Sequence, residues 1–159
     1  MQDLLPLAEQ LGARLKARGE TIAVAESAAG GLIAASLLAM PGASAYFIGG
    51  TVIYTYKSRT ALLGISEDAL TGMRPSTEAY ALMIARQIRE RLGSSWGLAE
   101  TGAAGPKGNR YGDAPGHACV ACVGATETSL TIETGATDRA ANMRAFATAA
   151  MELLLKQLA

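Results

Sequence analysis

The feature that most constrains this chain is the way its hydrophobic period keeps switching. Leu4, Leu7, Ala8, Leu11 and Leu15 recur at helical spacing, and Gly19 stands where such a helix stops. Residues 21–25 then form a short apolar run, the mark of a buried strand. Repeated, this alternation commits a chain to helices packed on a sheet. Pro6 belongs to the first turn of that opening helix, and Gly12 weakens it only slightly. A second helix is expected over 30–40, closed by Pro41-Gly42. A long β-branched and aromatic strand is expected over 45–56, with Gly49-Gly50 inside it marking a bulge or a close backbone approach. Two short helices follow, 58–63 and 66–72. The clearest helix opens at Pro75-Ser76-Thr77-Glu78, runs on Ala81, Ile84, Ala85, Ile88 and Leu92, and ends at Gly93. Strands are expected over 96–100, 117–123 and 129–133, the last two joined by a turn. Residues 101–116 carry five glycines and two prolines and read as a loop. Asp138 caps a final helix whose inner face is Ala147, Ala150, Met151, Leu154 and Leu158. The expected class is α/β, with a mixed sheet because the last strands are hairpin-linked.

Composition narrows the function classes. At 159 residues the chain is expected to be one domain, long enough to bury roughly two-thirds of its unfolded surface. Fourteen basic residues balance fourteen acidic ones, so there is no basic excess of the kind nucleic-acid binders carry. No run approaches the roughly 18 apolar residues of a membrane span. Thirty-two alanines and 18 glycines make about a third of the chain small, which suits close packing and backbone near a ligand. Two cysteines build no disulfide framework, and the start reads as a charged helix rather than a signal peptide. The expectation is a soluble cytoplasmic protein, without nucleic-acid or membrane partners. Its zero net charge suits a homo-oligomer.

Three segments carry chemistry. Glu26-Ser27-Ala28-Ala29-Gly30-Gly31 lies where a strand turns into a helix, the place where α/β sheets bind ligands. Backbone N–H groups of Gly30 and Gly31 there can face a phosphate or an oxyanion, and Ser27 is either a helix cap or a nucleophile. Thr101-Gly102-Ala103-Ala104-Gly105-Pro106-Lys107-Gly108 also follows a strand; it matches neither the Walker nor the dinucleotide glycine spacing. It is either a ligand loop or a structural one. Tyr54 to Arg59 lies at the end of the long strand, as a solvated strand end or a site wall. Glu26 and Glu100 each end a strand, and either share a proton or a metal or cap neighbouring helices. His117 is the only histidine, so a Ser-His-Asp triad has one candidate, and no G-x-S-x-G elbow occurs. Cys119 and Cys122, three apart on a strand, face opposite sides and are expected to be unpaired and metal-free.

Taken together and in order, these segments resemble the CinA C-terminal domain, the nicotinamide-nucleotide amidohydrolase (PncC-type) family. The resemblance rests on A-E-S-A-A-G-G-L-I-A at 25–34, P-G-A-S-A-Y-F-I-G-G-T-V-I-Y at 41–54, L-L-G-I at 62–65, T-G-A-A-G-P at 101–106, P-G at 115–116 and G-A-T-D-R at 135–139. It implies a three-layer α/β/α sandwich, often dimeric. It also implies deamidation of nicotinamide mononucleotide to nicotinic acid mononucleotide and ammonia, in pyridine nucleotide salvage, with no metal or redox cofactor. Ser27 maps onto the family nucleophile, Tyr54 and Thr101 onto site residues, and Arg139 or Arg144 onto a site arginine. Glu26, Gly30, Gly31, Gly49, Gly50, Gly102 and Gly105 then form the substrate-binding surround. The chain departs from the family in two ways. Ala28 and Ala29 stand where the motif reads Cys-Thr, and Arg59 stands where the family has a catalytic lysine. A guanidinium stays protonated and is no general base. Lys57 shares a face with Arg59 if the strand continues and can then substitute. The alternative is a catalytically weakened nucleotide-binding module of the same fold.

Overall fold

The computed structural model describes residues 1–159. Ten main elements follow in order: α1 (Leu5–Arg18), β1 (Ile22–Glu26), α2 (Leu32–Leu38), β2 (Phe47–Val52), α3 (Tyr56–Leu63), α4 (Glu78–Leu92), β3 (Trp96–Gly102), β4 (His117–Val123), β5 (Glu127–Glu133) and α5 (Arg139–Gln157). The sheet order is β2-β1-β3-β4-β5. β1 pairs in parallel with β2 and β3, whereas β3–β4 and β4–β5 are antiparallel. The mixed α/β architecture is the one the alternating periods imply.

Topology explains the layers. The chain leaves β1 through α2 to β2 on one side, then returns through α4 to β3 on the other. Right-handed crossovers in opposite directions place their helices on opposite faces of the sheet. One core therefore lies under α1, α2 and α5, holding Leu11, Ile33, Trp96, Leu98 and Phe146. The other lies under α3 and α4, holding Leu63, Ala81, Ile84 and Ile88. Central β1 is buried at all five positions, and edge strand β2 alternates. Gly97 lets α4 sit close on β3: a Cβ there would stand 2.0 Å from the Ala85 carbonyl oxygen. No helix is long and apolar enough to cross a membrane.

Several boundaries differ from expectation. The strand expected over 45–56 is only Phe47–Val52. Thr55 ends it by capping α3: its hydroxyl accepts from the Ser58 N–H, and the Ser58 hydroxyl accepts from the Thr55 N–H. The helix expected over 66–72 is a single 3-10 turn, Asp68–Leu70, and α2 is shorter than 30–40. Thr101 and Gly102, expected to open the loop, pair with β4 as the last residues of β3. Cys119 and Cys122 are buried, free, and divided between the two cores.

Candidate functional site

β1, β2 and β3 run parallel, so their carboxyl ends emerge side by side. β1 lies where the chain turns from one side of the sheet to the other, the switch point at which open α/β sheets bind ligands. A cleft of about 550 Å³ opens there. Ser27 enters it from the end of β1, Tyr54 from the residues after β2, and Thr101 and Gly102 from the end of β3. Lys57 and Arg59 come from α3, Ser76 from the turn before α4, Tyr80 from the first turn of α4, and Asn109, Arg110 and Tyr111 from the long loop.

The turn after β1 is held from below by two buried carboxylates. Glu26 accepts from the N–H groups of Gly31 (3.0 Å), Ile33 (3.0 Å) and Ala34 (2.9 Å). Glu100 accepts from those of Ser27 (3.0 Å) and Ala29 (2.7 Å). The Gly30 N–H donates to the Ser27 carbonyl. This corrects an expectation: the Gly30 and Gly31 amides are engaged within the chain and do not face the cleft as an anion cradle. Gly30 and Gly31 serve the turn instead, both with positive φ (68° and 98°), a conformation that glycine adopts without strain. Burial pushes both carboxyls above their ordinary range, Glu100 to about 7, against the lowering pull of the N–H donors.

The hydroxyls facing the cleft keep protons to donate. Thr101 is buried, and its Oγ1 accepts from the Ser76 N–H at 3.1 Å. The Tyr54 hydroxyl accepts from Arg139 at 3.1 Å, while the same guanidinium donates to the Gly105 carbonyl at 2.7 Å. Arg139 thus ties the loop after β3 to the residue after β2, and Arg144 is exposed on α5 without a side-chain partner at the cleft. Gly49 and Gly50 lie inside β2, close to Leu92 and Ala34 respectively, and do not line the cleft. Neither Gly105 nor Arg139 lines the cleft; Arg139 reaches its wall through the Tyr54 hydroxyl.

The α3 cap separates Lys57 from Arg59. Two residues apart on a helix, they point about 200° apart rather than to one face. Lys57 is exposed at the rim, and Arg59 is 3% exposed. The strand expected to carry both residues is therefore replaced by a helix, and Lys57 lines the cleft from its own side of α3 rather than from the face of residue 59. Arg59 lies over the Tyr56 ring at 4.6 Å from its centroid and donates to the Tyr80 hydroxyl at 3.4 Å.

Sequence reasoning missed one wall. Ser76, expected as part of a helix start, takes a positive φ of 59° while Thr77 caps α4. Its carbonyl accepts from His117 Nε2 at 2.8 Å, and His117 Nδ1 meets Glu133. Burial pulls the imidazole down, but Glu133, the Ser76 carbonyl and Asp113 together outweigh it and raise the group above its ordinary value. Asp113 in turn takes Arg74 through two bonds, 2.7 and 3.1 Å, and accepts from Asn109. Arg110 and Tyr111 sit between Gly108 and Gly112 in the long loop, where a cation beside an aromatic is the only local sign of a site.

The sequence matches the CinA C-terminal domain over residues 4–158. The chain belongs to that family. A CinA-like protein of Salinibacter ruber is 38% identical over 142 residues, which is 89% of this chain and 34% of that protein. One of Chloroherpeton thalassium is 36% identical, covering 97% of this chain and 38% of that protein. The chain thus spans little more than a third of these CinA-like relatives. Among solved structures, the competence/damage inducible protein CihA from Agrobacterium tumefaciens superposes with a TM-score of 0.87 at 28% identity, over 97% of this chain and 94% of that one. A CinA superfamily protein from Escherichia coli shares the fold with a TM-score of 0.90 at 24% identity, over 97% and 90% of the two chains.

Proposed function

We propose that this chain is an amidohydrolase that converts nicotinamide mononucleotide, or a closely related nucleotide amide, to the acid and ammonia. The observation that supports this most is that Ser27, Tyr54 and Thr101, each at the end of a different parallel strand, line one cleft. The Ser27 hydroxyl has no hydrogen-bond partner in the chain, so it is free to attack. In the proposed sequence its oxygen bonds to the carboxamide carbon and its proton passes to a base. The amide C–N bond then breaks with that proton leaving on ammonia, and water hydrolyses the Ser27 ester to release the acid. With the Gly30 and Gly31 amides engaged, the free protons of Thr101 and Tyr54 are the donors for the oxyanion. Lys57 is the only amine lining the cleft and therefore the only amine base. Its place at the rim predicts a slow enzyme, since a base works within hydrogen-bond reach of the proton it takes.

A second reading, a nucleotide-binding module with weakened catalysis, is favoured by Arg59: a permanent cation fills the position where the family has its lysine. Ammonia release from nicotinamide mononucleotide by the purified chain, beside Ser27→Ala, separates the two. Turnover that Ser27→Ala abolishes supports the hydrolase. Nucleotide binding without ammonia from either protein refutes it in favour of the module.

A further inference from the structure

Four arginines, Arg59, Arg74, Arg110 and Arg139, approach this end of the sheet, and burial and partners set Arg59 apart. Arg74 is consumed by Asp113, and Arg139 by the Gly105 carbonyl and Tyr54. Arg59 is as buried as a core leucine, yet no carboxylate lies within ion-pair distance of it. Its Nε is enclosed with no hydrogen-bond partner at all. Its neighbours are the faces of Tyr56 and Tyr80, at 4.6 and 5.9 Å, and one long hydrogen bond to the Tyr80 hydroxyl. Aromatic faces attract a guanidinium but do not neutralise it. A buried charge ordinarily has a counter-ion, because desolvation penalises it otherwise. The cleft that Arg59 lines offers two more cations, Lys57 and Arg110, and not one aspartate or glutamate.

We infer that Arg59 anchors an oxyanion subsite, in which a carboxylate or phosphate of the ligand supplies the counter-ion the chain withholds. The planar fork of a guanidinium matches either group through paired N–H donors. The Tyr56 ring, flanked by Arg59 and by Arg110 at 5.0 Å, holds that fork in place. The subsite deepens the hydrolase reading by naming what grips the ligand, and rests on it only for the nucleotide. Inorganic phosphate and acetate probe it without any substrate.

The experiment has two arms. In the first, thermal unfolding of wild type and Arg59→Gln is followed in phosphate, acetate and chloride at equal ionic strength. Phosphate, acetate or both should raise the wild-type Tm above its chloride value by more than they raise that of Arg59→Gln. The two anions distinguish a phosphate subsite from a carboxylate one. In the second, calorimetric titration compares nicotinamide mononucleotide with nicotinic acid mononucleotide. Arg59→Gln should weaken both about tenfold or more if phosphate occupies the subsite, and only the acid if carboxylate does. Should Arg59→Gln fail to fold, the Nε–H resonance of Arg59 in the wild type serves instead and should shift saturably with phosphate or acetate. Equal responses of the two proteins, or an unmoved resonance, overturn the subsite. Anion binding with no ammonia release overturns the hydrolase and leaves the subsite standing.

Discussion

Glu100 holds Ser27 by its backbone: the buried carboxylate at the end of β3 accepts the Ser27 N–H at 3.0 Å, and its other oxygen is enclosed with no partner. The proposed nucleophile is therefore positioned by a group 73 residues away that titrates near neutrality. Burial is the main cause, and the nearby Glu26 carboxylate adds to it.

Stability should depend on pH through this group. Its folded value, about 7, lies above its ordinary 4.5. The folded state thus holds a proton the unfolded state has lost, and the stabilisation present below 4.5 disappears as pH rises to 7. The window carries roughly 3 kcal/mol. Urea midpoints measured from pH 4.5 to 7.5 should fall for wild type and fall much less for Glu100→Gln; parallel curves for the two proteins would count against the assignment.

Thr101→Val should damage both stability and turnover. Valine keeps the shape but removes the acceptor of the buried Ser76 N–H, a loss of about 1–3 kcal/mol. It also removes a proposed oxyanion donor, so kcat for ammonia release should drop about 10²-fold or more while KM changes little. A Thr101→Ser variant that restores kcat would tie the effect to the hydroxyl.

Residue 59 should control rate. Arg59→Lys puts an amine in a buried, aromatic-lined position where desolvation favours its neutral form. Ammonia release should rise, by roughly 10²–10⁴-fold if the lysine reaches the Ser27 proton. Lys57→Ala should lower the wild-type rate with nucleotide affinity unchanged. Wild-type turnover that neither change moves would remove both residues from the proton path.

Gly97→Ala tests the packing of α4 on the sheet that sets the cleft wall. The new methyl would meet the Ala85 carbonyl at 2.0 Å, and backbone cannot step aside cheaply. A loss of about 3 kcal/mol and a Tm lower by roughly 6–12 °C are expected from thermal unfolding. An unchanged Tm would show that α4 sits looser on β3 than this geometry has it.

What the sequence by itself determined is everything that depends on local pattern. The switching period specified helices over a sheet, and Gly19 and Gly93 marked the ends of α1 and α4 because a left-handed residue stops a helix. The glycine and hydroxyl motifs after the strands pointed to the chemistry because they sit where parallel strands end. What only the tertiary structure decided is where long-range partners lie. No spacing shows that the Gly31 amide is held by Glu26 and the Gly30 amide by the Ser27 carbonyl, nor that Glu100 arrives from a neighbouring strand to take the Ser27 and Ala29 amides. Nor does it show that Thr55 caps α3, and so sets Lys57 at the exposed rim of the cleft and buries Arg59. β-Branched and aromatic residues over 52–56 suit a strand, whereas residues 57–63 suit a helix. The reciprocal Thr55–Ser58 bonds and the burial of Arg59 and Leu63 set the boundary in favour of the helix.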